Sequence, residues 1–123
     1  TPSVFSEDVF YCIDQKNTGE RGGKISSFER IGFKIKFNED HSTLYIKDPD
    51  PTLSSPSYSC KDESIEGITK GKELTCIQNY PEPFLFLYSL PTNKYTWFRG
   101  SVSGYPSGRG DSTIVHFGTC DKF

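Results

Sequence analysis

His41 and His116 are the only histidines of this chain, so a nucleophilic triad or an acid–base pair would have to draw on them. His41 lies in the polar run Asn38-Glu39-Asp40-His41-Ser42 and reads as a solvated turn residue. His116 stands between Val115 and Phe117 and shares a strand face with Ile114. That setting reads first as a structural histidine whose ring nitrogens are held by neighbours. Two histidines without a nearby cysteine set do not make a zinc site. Asp48-Pro49-Asp50-Pro51 lacks the ligand spacing of a calcium loop, and Asp62, Glu63 and Glu66 read as a solvated loop. No metal and no cofactor is expected.

Two further groups could bind rather than react. Arg109-Gly110-Asp111 spells the tripeptide that integrin ligands display at loop tips, and Gly104, Pro106 and Gly108 precede it. The plainer reading is a turn in which Gly supplies positive φ and Asp bonds its own backbone. Lys94, Tyr95, Trp97 and Arg99 interleave base and aromatic, as in surfaces that stack nucleobases or grip sugars. Strand alternation puts Tyr95, Trp97 and Arg99 on one face and Thr96 and Phe98 on the other. If Phe98 faces the core, the only Trp lies outside beside an Arg, as at many interfaces. The opposite sense puts Trp97 in the core, and both senses are open. Tyr95, Trp97, Arg99, Arg109 and Asp111 are the candidate contact residues.

The elements that must position these residues are strands. Phe33, Ile35 and Phe37 alternate with Lys34 and Lys36, and Thr43–Lys47 resumes the pattern after a polar turn. That is an antiparallel hairpin with one wet face. Val9–Ile13, Leu74–Ile77, Phe84–Leu90, Tyr95–Val102 and Ser112–Phe117 read as further strands, six or seven in all. Lys16–Gly23 reads as a charged loop, and Ser26 and Ser27 could cap a short helix through Ile31. Asp48–Ser59 and Ser103–Asp111 are Pro-, Gly- and Ser-rich loops. The expected fold is mainly β: one antiparallel domain over residues 1–123 with at most one or two short helices.

Apolar residues make up only 33% of the 123 positions, and ten Phe and seven Tyr must build much of the core. So thin a core gains from cross-links. Four cysteines allow three pairings, which sequence alone does not separate. The simplest joins Cys12 to Cys120 and Cys60 to Cys76. The even cysteine count, the lack of Met and the Thr-Pro-Ser start suit a processed protein of an oxidising compartment. No apolar run reaches the ~18 residues of a membrane span. A net charge of −2 opposes a general grip on nucleic acid but leaves room for a local basic patch.

Phe10-Tyr11-Cys12 resembles the aromatic-x-Cys signature near the mature start of powdery-mildew secreted effectors. In that family the cysteine pairs with one near the C-terminus, which Cys120 would supply. Those effectors resemble fungal ribonucleases of the T1 and ribotoxin kind. Cys12-Ile13-Asp14-Gln15-Lys16-Asn17, Leu87-Tyr88-Ser89-Leu90-Pro91-Thr92 and Gly108-Arg109-Gly110-Asp111 are similar to ribotoxin segments. Ser89 falls where the catalytic glutamate of the ribonucleases would stand. A shifted register offers Glu82 instead, with Arg99 for the phosphate and His116 for proton transfer. A second resemblance, through Lys24–Phe28, Gly32–Lys36 and Tyr58-Ser59-Cys60, is to the fungal allergen and elicitor family built on a β-barrel. It carries cysteines that this chain lacks.

The resemblances imply a secreted fungal effector, active outside the cell or after entry into host cells. It would bind a host protein, such as an immune receptor, or RNA, and would not be catalytic. Alternatives are an active endoribonuclease and an integrin-binding adhesive protein. Oligomeric state is left open.

Overall fold

A computed structural model of the chain describes residues 8–21, 24–47, 57–78, 84–99 and 112–122. Apolar–polar alternation commits a chain to strands with one dry face. Nine form here: β1 (Asp8–Arg21), β2 (Lys24–Ser27), β3 (Gly32–Phe37), β4 (Thr43–Lys47), β5 (Ser57–Asp62), β6 (Glu73–Gln78), β7 (Phe84–Ser89), β8 (Lys94–Arg99) and β9 (Ser112–Lys122). No helix occurs among the described residues.

The strands pair antiparallel in the order β2-β1-β3-β4-β5-β6-β7-β8-β9, and β9 also pairs with β1. The return closes β1 and β3–β9 into an eight-stranded meander barrel, with β2 an arm on the distal half of β1. Closure leaves no free edge in the ring. In eight strands the interior is just wide enough for side chains to fill it. Here every ring strand contributes to one core.

The Phe33–Phe37 and Thr43–Lys47 runs form the expected hairpin, with Ile35 opposite Ile46 and Phe37 opposite Leu44, all four buried. Two aromatic groups fill the barrel. Phe10, Phe37 and Tyr88 meet near one end, with centroids 5.4–6.2 Å apart. Phe33, Phe86, Tyr95 and Trp97 meet toward the other, Phe86 stacking on Tyr95 at 5.4 Å.

Among the three possible pairings the structure holds Cys12–Cys120 and Cys60–Cys76. Each bridges residues that face each other on adjacent strands. The first lies on the seam where the barrel closes.

Three local expectations are corrected. Lys16–Arg21 is not a loop: β1 runs through it, paired to β9 on one side and, over Thr18–Arg21, to β2 on the other. Ser26–Ile31 is not helical. Ser26 and Ser27 end β2, and Asp14 and Asn17 hold the next residues against β1. The strand count rises to nine because β2 and β5 come from polar, weakly patterned segments that only their neighbours stabilise.

Replacing Cys12 and Cys120 by Ser should lower unfolding stability by about 4–5 kcal/mol, and replacing Cys60 and Cys76 by about 3, because the closed loops differ in length. Urea unfolding of the two double variants checks the order.

Candidate functional site

In β1 the inward positions run Phe10, Cys12, Asp14, which puts a carboxylate where the pattern calls for an apolar side chain. Burying a lone charge is prohibitive, so it must be paired and hydrogen-bonded. Asp14 is both. Its Oδ2 lies 2.7 Å from His116 Nδ1 and accepts from the Ile31 N–H at 3.0 Å, while Oδ1 accepts from the Tyr95 hydroxyl at 2.6 Å.

The backbone makes room for this. The β1–β9 register shifts between Asp14 and Lys16, a bulge that resets the alternation and turns Asn17 inward opposite His116. Gly118 faces Asp14, and a Cβ there would run into the Tyr95 hydroxyl and the Ile13 carbonyl.

Burial pushes the Asp14 carboxyl up, but the hydrogen bonds from His116, Tyr95 and Ile31 outweigh it and hold the value below 3.8. Burial, then the Asp14 bond and charge, push the Tyr95 phenol far up, so it stays protonated as the donor. An ionised carboxylate only accepts, so His116 Nδ1 carries a hydrogen. This leaves Nε2 buried and without a hydrogen-bond partner among the described residues. Chemically the pair is an oriented imidazole with one open nitrogen, as in the base half of a triad.

The imidazole is enclosed. His116 is 2% exposed and lies against Trp97, ring centroids 5.1 Å apart. The Arg99 guanidinium stands 4.8 Å from the Trp97 ring centroid, and the indole N–H donates to the Tyr58 hydroxyl at 3.2 Å. Strand directions place this polar end where β4, β6 and β8 finish. His41 lies in the β3–β4 turn at the other end, against Phe37, so the two histidines cannot act together.

The candidate residues are therefore distributed as follows. Tyr95 and Trp97 point into the barrel and are buried, and Phe98 faces out at 37% exposure. The alternation runs opposite to the sense that would put Trp97 at an interface, because Trp97 packs on Phe33 and Phe86. Neither Tyr95 nor Trp97 is a surface contact residue in this arrangement. Arg99 is half-buried over Trp97. Arg99 and His116 are brought together around the indole. Glu82, Arg109 and Asp111 lie outside the described residues, as do residues 48–56 and 103–111; Ser57–Ser59, expected to end the first loop, belong to β5. Among the described residues no three His, Cys, Asp or Glu side chains converge as a metal site. Asp14 was missed by motif reading, and its signal was its place in the inward series after Phe10 and Cys12.

The outer wall has its own chemistry. Ile77, Leu85, Phe98 and Val115 are successive cross-strand partners from β6 to β9, forming an outward apolar row. Phe117 extends it on the next rung. Comparisons of the chain with family models, curated proteins and solved structures find no match.

Asp14→Ala should cost about 3–5 kcal/mol, since it leaves a buried His and Tyr without their acceptor. The folded carboxyl titrates below its ordinary value of 3.8, so its stabilisation is complete above that pH and is lost as pH falls through the lower, folded value. Urea midpoints measured against pH should show this acid limb, flattened in Asp14→Asn.

Proposed function

We propose that this protein is a non-catalytic binding domain of an oxidising, extracellular setting. It meets a macromolecular partner with the outside of its stapled barrel. The observation that supports this most is the enclosure of His116: its imidazole is locked on Asp14 and packed under Trp97. A general base must come within hydrogen-bond reach of the proton it removes. The outward apolar row on β6–β9, in which Ile77, Phe98 and Phe117 are exposed, points the same way, because exposed apolar patches commonly mark interaction sites. Two disulfides and no free cysteine are consistent with the compartment. The effector resemblance adds a host component as the partner.

A second reading, an endoribonuclease, draws on the meeting of Arg99 and His116 around Trp97. It supplies a cation for a phosphate and an oriented imidazole. It lacks a second histidine within reach, because His41 sits at the far end.

One assay separates the two. Purified protein incubated with single-stranded RNA, below its melting transition, is expected to release no more fragments than buffer, and His116→Ala is expected to behave alike. Cleavage by the natural chain that vanishes in His116→Ala would replace the binding reading by the ribonuclease one.

A further inference from the structure

The wall opposite the apolar row is basic and aromatic. β4 and β8 lie four strands apart in the eight-strand ring, so the two walls face away from each other. Outward positions on β3 and β4 include Lys34, Lys36, Tyr45 and Lys47, flanked by Tyr11 of β1. Pairing arranges them in rungs: Tyr11–Lys34–Lys47, and beside it Val9–Lys36–Tyr45. Side chains two apart on one face stand ~6.7 Å from each other, and direct cross-strand partners ~5 Å. Three ammonium groups and a tyrosine ring are thereby gathered along a shallow groove of about 410 Å³.

This chain has a net charge of −2, yet no outward position of β3 or β4 carries a carboxylate; the nearest acid on these rungs is Asp121 of β9, opposite Tyr11. Setting Lys34 directly opposite Lys47 puts like charges side by side, which by itself disfavours the sheet. These side chains face away from the barrel core, with Tyr11 lying over Gly32. Tyr45 is 43% exposed, with the Lys36 ammonium 5.6 Å from its ring centroid, and Tyr11 is 41% exposed.

We infer that this lysine–tyrosine wall is a binding site for a single-stranded polynucleotide. Resting on the binding reading above, it assigns one wall and one ligand class. Lysines repeating along the strands would track successive phosphates of an extended backbone, while the tyrosine rings offer stacking faces to bases. A duplex has its base faces already stacked, so only a single strand can use both features.

The test is fluorescence anisotropy of a labelled oligouridylate at several salt concentrations. The natural chain should bind with log affinity falling against log salt with a slope of about −2, as three contacted phosphates imply for a single strand. Lys34→Gln with Lys47→Gln should flatten the slope to about −0.7. Tyr45→Ala should weaken binding about five- to hundredfold with the slope unchanged. All substituted side chains face outward, and unchanged melting curves confirm that each variant is folded. Binding that survives the double lysine variant, indifference to Tyr45→Ala, or a preference for duplex, heparin or anionic vesicles over the single strand overturns the inference. Failure to bind removes this site alone, whereas cleavage of the oligonucleotide removes the binding reading with it.

Discussion

A carboxylate inside a barrel is the constraint from which much of this structure follows. Asp14 sits where water cannot solvate it, and an ion there survives only among donors. Meeting that demand ties four parts of the chain together: β1 carries the acid, β9 brings His116, β8 brings Tyr95, and the segment before β3 brings the Ile31 N–H. The bulge after Asp14 and the bare Gly118 give those donors room. The same seam carries the Cys12–Cys120 bridge, so barrel closure has a covalent and an electrostatic lock within two residues of each other.

That lock has a functional consequence. Asp14, His116 and Tyr95 are engaged in holding the barrel shut, and the Trp97 indole packs in its core. Among the described residues the outer wall is open to contact, and it is divided. One side shows an apolar row, and the opposite side shows lysines and tyrosines. A closed, cross-linked ring keeps the two surfaces in fixed relation, the preorganisation that the proposed binding role would draw on.

Much of the architecture was legible in the sequence. The Phe33–Phe37 and Thr43–Lys47 alternation needs only local sterics and a single dry face, so hairpin and register follow from the residues. The Phe84–Ser89 and Lys94–Arg99 strands and the β-rich class follow in the same way. β2 and β5 did not, because Lys24–Ser27 and Ser57–Asp62 carry few apolar side chains and become strands through the ladders of their neighbours. The capping serines at 26 and 27 promised a helix, but a propensity is a weak prior. Bonds from Asp14 and Asn17, more than ten residues away, decided otherwise.

By itself the sequence determined a mainly β chain with cysteines enough for two cross-links, because two-residue periodicity and cysteine number can be read along the backbone. Which face of Tyr95–Arg99 turns inward, which cysteines meet, and that Asp14 and His116 form one buried pair were decided only in three dimensions. Those choices depend on ring closure, which joins residues 102 positions apart and leaves no trace in any local window.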